Sequence, residues 1–323
     1  MSIPGLVGAL QLWSETIGGT ANLLNHSENH TFRIDTPSGQ RFSLRVHRPG
    51  YQSRATIQSE LAWLLALRHD TGLPVPCPIA GSDGKLLQSF SSDGHEPRLA
   101  VLFAHVPGQE PSASGDLAGL FAALGGFAAR MHRHAMAWSR PPGFSRQVWS
   151  AKHILAPDGL WGDWRTAPGV TPELSAVLDR VDSALRQQLA AYGTGADRFG
   201  LIHADMRLGN LLLDEDRVTL IDFDDCGFCW FAYDFAAAIS FHETRLAIPA
   251  LKAAWLEGYS AIRPLPRADI AAMDTMVMLR RMALLAWIGS HGETNLARTH
   301  APGFALGTVQ LAQSYLRTVE PLR

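Results

Sequence analysis

Lysine is almost missing from this sequence of 323 residues, standing only at Lys85, Lys152 and Lys252. Cysteine is as scarce, with Cys77, Cys226 and Cys229, and an odd count leaves one thiol over in any disulfide framework. No run approaches the roughly 20 apolar residues that a membrane-spanning helix needs. A dominant charge is lacking too. Lysine plus arginine come to 28 and aspartate plus glutamate to 30, for a formal net charge of -2. That balance gives no electrostatic case for nucleic acid or an anionic membrane as partner. Met1–Ala9 has no basic segment followed by a long apolar run, so no secretory signal is expected, and the simplest location is a reducing cytoplasm. There is no internal repeat, low-complexity tract or sustained heptad, and nothing from which to read an oligomeric state.

Hydrophobic residues make up 46% and charged residues 18%, ordinary for a globular enzyme with one large or two modest cores. The first hundred residues read as strands with one helix. Thr20–Asn25, His30–Thr36 and Arg41–Arg48 form a candidate meander, with Pro37-Ser38-Gly39 as a turn. In the third strand Phe42, Leu44 and Val46 alternate with Ser43, Arg45 and His47, so one face is core. A helix is expected over Arg54–Arg68 with Ile57, Leu61, Leu64 and Leu65 on one side. Pro74, Pro76 and Pro78 then force an extended crossing. Strands over Lys85–Phe90 and Arg98–Phe103 would complete an antiparallel sheet.

Beyond Val106-Pro107-Gly108 helices dominate. Leu117, Leu120, Phe121, Leu124, Phe127, Ala128 and Met131 mark one helical face. Thr171 is a fitting N-cap and Gly193 a fitting stop for a helix over Pro172–Tyr192. Further helices are expected over Ile248–Ile262 and Asp274–His291, with an irregular stretch over Trp138–Gly169. The expected fold class is α+β: residues 1–103 a small sheet lobe with one helix, 104–110 a hinge, and 111–323 a larger, mainly helical lobe.

The most informative stretch is Leu201-Ile-His-Ala-Asp-Met-Arg-Leu-Gly-Asn210, followed by Val218-Thr-Leu-Ile-Asp222-Phe. Two short apolar strands, Leu211–Leu213 and Val218–Ile221, are joined by a polar turn. That hairpin would set Asn210 just before one strand and Asp222 just after the other, at one end. Asn and Asp oxygens there are hard ligands suited to Mg²⁺. Asp205, on a tight loop, is free to accept a proton. A metal for phosphates and a carboxylate for an attacking hydroxyl are what phosphoryl transfer requires. Cys226 and Cys229 form a lone C-x-x-C without the further ligands of a zinc site or the context of a redox pair, and read as small buried residues.

His203-Ala-Asp205-x-x-x-x-Asn210 and Ile221-Asp222-Phe223-Asp224-Asp225 resemble the catalytic and metal motifs of the aminoglycoside phosphotransferase and choline kinase-like family. Ser27-Glu-Asn29-His-Thr-Phe32, Leu44-Arg45-Val46-His-Arg-Pro-Gly-Tyr51 and Phe231-Ala-Tyr-Asp234-Phe-Ala are similar to segments of its stress-response kinase A and type II homoserine kinase branch. The resemblance implies a bilobal, protein-kinase-like fold and an ATP- and Mg²⁺-dependent transfer to a hydroxyl. It implies Asp205 as base, Asn210 and Asp222 as metal ligands, His203 and Asp234 as supports of the loop, and Arg207 as a charge near the transferred phosphate. Arg45 stands where related kinases carry a lysine, and Glu60 is placed to pair with it. Arginine keeps the charge and binds phosphate bidentately.

The nucleotide loop lacks G-x-G-x-x-G, so phosphate contacts would fall to backbone amides, Ser27 and Asn29. Adenine would meet backbone of Phe103, Ala104, His105 and Val106, where no side chain separates ATP from GTP. Acceptor candidates are Asp224, Asp225, Trp230, His242, Glu243, Trp287 and His291, with the tryptophans of 138–169. The branch points away from antibiotic inactivation and toward a small hydroxyl compound such as homoserine, an amino alcohol or a sugar. The alternatives are a protein Ser/Thr acceptor or a nucleotide-binding pseudokinase. Arg45 favours the pseudokinase, and the intact Asp205, Asn210 and Asp222 oppose it.

Overall fold

The computed structural model describes residues 3–26, 29–92, 94–215 and 217–319. In chain order the first elements are α1 (Leu6–Ala9), β1 (Thr20–His26), β2 (His30–Asp35), β3 (Arg41–Val46), α2 (Arg54–Thr71), β4 (Pro78–Ile79), β5 (Leu87–Phe90) and β6 (Arg98–Ala104). Then come α3 (Ala118–Ala137), α4 (Ala151–Leu155), α5 (Pro172–Tyr192), β7 (Phe199–Ile202), β8 (Leu211–Asp214), β9 (Arg217–Leu220) and β10 (Gly227–Trp230). The chain closes with α6 (Tyr233–Ala238), α7 (Ile248–Ser260), α8 (Arg267–Ser290), α9 (Asn295–His300) and α10 (Phe304–Val319).

Two compact units result. The first runs to Gln109 and takes in Ser139–Arg146 and Leu212–Asp224; the second comprises Glu110–Trp138, Gln147–Leu211 and the chain from Asp225 on. In the first, an antiparallel sheet is ordered β1-β2-β3-β6-β4, with β5 also paired to β6. The alternation along β3 works as the sequence indicates. Leu44 lies opposite Phe32 and Leu102, and this apolar face is covered by Ile3, Leu6, Leu10 and Trp13. Residues 3–13 carry no element in the sequence-based reading, because so short a helical turn has no periodicity to detect.

Helix α2 starts at Ser53, whose hydroxyl accepts the Thr56 N–H, and stops at Gly72 in the left-handed region. Ile57, Leu61 and Leu64 are buried, but Leu65 points to solvent while Trp63 and Leu67 take interior places. A stripe running Ile57, Glu60, Leu64, Leu67 turns position 65 outward. The proline-rich crossing contains β4, which the prolines hide from sequence reading. It sits at the sheet edge, where proline is tolerated. Strand β5 begins at Leu87 because Lys85 closes a turn, donating its N–H to Asp83 at 2.9 Å. Farther along, β8 and β9 form a hairpin, and Gln109 and Leu213 exchange both backbone hydrogen bonds at 2.9 Å.

The second unit is helical. Thr171 caps α5 and Gly193 ends it. Helix α8 starts at Arg267, directly after Pro264-Leu-Pro266, earlier than the expected Asp274. The stretch expected to be irregular holds α4, and Trp149, Trp161 and Trp164 enter the main core with Trp287. Two short strands went unread: β7 and β10 pair antiparallel, with Ile202 opposite Gly227. Each has four residues and includes a glycine, too little pattern to read. Helices α3 and α7 approach so closely that a Cβ at Gly258 would strike the Ala122 carbonyl, and one at Gly125 the Trp255 carbonyl. Among the described residues no helix is long and apolar enough to cross a membrane.

Candidate active site

In the second unit the loop after β7 is wound tightly around Asp205. Ala204 adopts φ 67°, a left-handed conformation that is costly for alanine and must be held from outside. Asp234, fully buried at the start of α6, does this by accepting the Ala204 N–H at 2.8 Å and the His203 N–H at 3.4 Å. His132 of α3 meets the same carboxylate at 2.9 Å and Tyr259 at 2.9 Å. The His203 ring accepts the Asp205 N–H at 3.1 Å. His203 and Asp234 therefore shape the loop.

The turn Leu208–Asn210 folds Asn210 back beneath Asp205. Its amide donates to the Asp205 carbonyl at 2.8 Å and to Oδ2 at 2.6 Å. Arg207 donates to the same oxygen at 3.2 Å, and Arg280 of α8 donates to Oδ1 at 2.5 Å. Burial alone would raise the Asp205 pKa, but Arg280, then Arg207 and His203, outweigh it and hold the carboxyl below the usual range. Sequence reasoning missed Arg280 and His132. The signal for Arg280 was present: two adjacent arginines inside the apolar run Met278–Ile288 must find partners if the helix is buried.

In the first unit Arg45 is buried beneath the sheet. It donates to Glu60 of α2 at 2.5 Å and to Asp222 at 3.3 Å, with its guanidinium 5.3 Å from the centre of the Phe103 ring. Burial opposes its charge, but Glu60, Asp224 and Asp222 outweigh this and raise its pKa above the ordinary arginine value. Arg45 Nε and Glu60 Oε2 are buried without a hydrogen-bond partner among the described residues. Asp222 adopts φ 62°, left-handed, and its side chain is 46% exposed.

Several sequence-based assignments look different here. Asp224 is buried, with Oδ2 on the Asn29 amide at 2.8 Å, while Gln52 and Arg146 donate to its carbonyl. Asn29 also accepts the Arg48 N–H at 3.2 Å, so its side chain is spent on holding the end of β3. Asp224, expected to be an acceptor residue, and Asn29, expected to be a nucleotide contact, are bonded to each other here. Trp230 is a core residue, its indole N–H on the Gly193 carbonyl at 2.7 Å. Glu243 and Arg281 form a buried pair at 2.7 Å, which takes Glu243 out of the acceptor candidates. Asp225 belongs to the second unit, where its carbonyl accepts the Trp149 indole N–H at 2.9 Å. Phe103 and Ala104 end β6, with the Ala104 N–H on the Cys77 carbonyl at 2.9 Å. His105 and Val106, with Arg68, Cys77 and Thr219, line a cavity of about 210 Å³. Ser27 lies outside the described residues. Cys226 and Cys229 are buried free thiols, and among the described residues no group of three or more metal-ligating side chains converges.

A model of the phosphotransferase enzyme family (APH) matches residues 20–265. The chain belongs to that family. This family member is 39% identical to a microcompartment-associated aminopropanol kinase of known structure, with a TM-score of 0.89 and 97% of both chains covered. It is 30% identical to a homoserine kinase from Gluconobacter oxydans (strain 621H) over 259 residues, 77% of this chain and 75% of that one. An amicoumacin kinase solved with AMP-PNP, Ca²⁺ and its antibiotic shares the fold at a TM-score of 0.77 and 22% identity, covering 98% of this chain and 94% of that one. The family member is a phosphotransferase with a kinase-like fold.

Proposed function

We propose that this chain transfers the γ-phosphoryl group of ATP to the hydroxyl of a small amino alcohol, with Asp205 as the group that orients the hydroxyl and accepts its proton. The 39% identity to an aminopropanol kinase across 97% of both chains carries the choice of acceptor. Homoserine, which also bears a hydroxyl and an amine, is the second reading, favoured by the homoserine kinase relative.

The residues suit the two groups the reaction needs. Arg45, with a buried Nε awaiting a partner, suits the oxygens of the α- and β-phosphates, and Glu60 fixes its orientation. Asn210 turns its amide nitrogen to Asp205, which leaves its oxygen as the available donor atom, and the Asp222 carboxylate is partly exposed. Each is a hard oxygen of the kind Mg²⁺ takes and would serve as a ligand. When bound, the ion would supply neutralisation of phosphate charge. The acceptor oxygen bonds to the γ-phosphorus as the bond to the β,γ-bridging oxygen breaks, ADP leaves, and the hydroxyl proton passes by way of Asp205 to solvent.

The test is ADP release from ATP and Mg²⁺ with 1-amino-2-propanol, ethanolamine, homoserine and a sugar, beside an Asp205→Asn control. Stimulation by an amino alcohol, lost in the variant, is the expected result. Stimulation by homoserine alone would transfer the assignment to the second reading. Stimulation by neither sinks the proposal.

A further inference from the structure

Arg280 reaches the Asp205 loop from outside the motif that defines it. It stands in the middle of α8, and the residue is 2% exposed. A guanidinium so deeply buried needs its N–H groups partnered. Nη2 donates to Asp205 Oδ1 at 2.5 Å, Nη1 to the Ala204 carbonyl at 3.2 Å, and Nε to the Ser240 hydroxyl at 2.9 Å. The Trp161 ring centre lies 5.0 Å from the guanidinium carbon and that of Tyr233 5.8 Å. Arg280 thus grips both the left-handed Ala204 peptide and the carboxylate that follows it.

A carboxylate offers about four lone-pair sites. Among the described residues Arg207 and Asn210 occupy Oδ2, and Arg280 occupies one site on Oδ1. One site on Oδ1 is left. We propose that Arg280 is a positioning residue for phosphoryl transfer: it fixes the Asp205 carboxylate so that this last lone pair meets the acceptor hydroxyl. The inference rests on the reading of Asp205 given above.

The charged and titratable groups around Asp205 are Arg280 from α8, Arg207 and His203 from its own loop, and Tyr233 from α6. Asp234 is bonded to the loop N–H groups, and Asp225 acts on Arg280.

Two readouts test this on the full chain. The first needs no acceptor: the affinity for a non-hydrolysable ATP analogue by calorimetry, which a positioning role leaves unchanged. The second is kcat and acceptor KM with ATP, Mg²⁺ and 1-amino-2-propanol. In Arg280→Met kcat should fall about 10²-fold with little change in acceptor KM or nucleotide affinity. Arg280→Lys should restore part of the lost kcat. Because losing a buried cation can unfold α8, Ser240→Ala is the second variant. It keeps the guanidinium but frees Nε, and a several-fold loss of kcat is expected. Unchanged kcat in Arg280→Met, or in Ser240→Ala if the first does not fold, overturns the proposal, as does a parallel loss of nucleotide affinity and kcat. Activity surviving in Asp205→Asn would instead overturn the reading of the base, and the role of Arg280 with it.

Discussion

The guanidinium of Arg45 meets the carboxylate of Glu60 at 2.5 Å, and both side chains are buried. Arginine offers what lysine cannot, a second nitrogen, which reaches Asp222 at 3.3 Å. Removing one partner of such a pair strands the other. Arg45→Met should therefore lose about 3–5 kcal/mol of stability in urea unfolding. Arg45→Lys should keep most of the fold but raise the KM for ATP about tenfold, since a point charge cannot hold two partners as a planar fork does. A lysine variant with unaltered KM would argue against phosphate binding at this position.

Asn210 ties Asp205 down by both its carbonyl and its carboxylate. In Asn210→Ala that tie and the proposed metal oxygen vanish together. Turnover should drop about 10²-fold, and half-saturating Mg²⁺ should rise. Asn210→Asp keeps an oxygen but loses the donor, so it should recover metal binding more than turnover. Kinetics over a Mg²⁺ series separates the two roles.

His47 is buried beside Arg45 with neither ring nitrogen hydrogen-bonded among the described residues. Burial above all, then Arg45, lowers its pKa from 6.5 to about 3. The unfolded chain therefore binds this proton near pH 6.5 and the folded chain only near 3. Stability contributed by the neutral ring is complete above pH 6.5 and declines as pH falls toward 3. The linkage is worth about 2 kcal/mol between pH 8 and pH 5. Asp205 and Asp224, both held low, lose stability in the same direction at lower pH. His47→Leu should flatten the decline between pH 7 and 5 in urea titrations without harming stability at pH 8.

Gly258 and Gly125 let α7 and α3 touch backbone to backbone. Alanine at either position has no flexible neighbour to displace. Gly258→Ala should cost about 1–3 kcal/mol or more, visible as a lower melting temperature. Gly126, with only ordinary contact to Gly258, is the control position, and Gly126→Ala should change little.

The sheet, α2, α3 and α5 were legible because each carries a strong local signal: alternation in β3, the apolar stripe of α3, Thr171 and Gly193 around α5. The contact of Asn210 with Asp205 was legible because the two stand five residues apart on one loop before a hairpin. What escaped was non-local. Arg280 lies 75 residues from its partner Asp205, and His132 lies 102 from Asp234. Asn29 and Asp224, 195 apart, show the converse: each looked functional alone, and their contact shows them occupied with each other. Spacing along a chain reports on turns and faces, whereas partnership across a core is fixed only when the core exists.

The segments Ser139–Arg146 and Leu212–Asp224 belong with the first unit although the chain between and beyond them builds the second. This has a consequence for synthesis. A chain emerging from the ribosome cannot finish its first unit when Gln109 appears; Arg146, which donates to Thr56 and Asp224, and the β8–β9 hairpin are still unmade. Closure waits until Asp224 is out, by which time much of the second unit is present. Maturation is therefore interleaved, not vectorial, and neither unit can be excised as a continuous fragment.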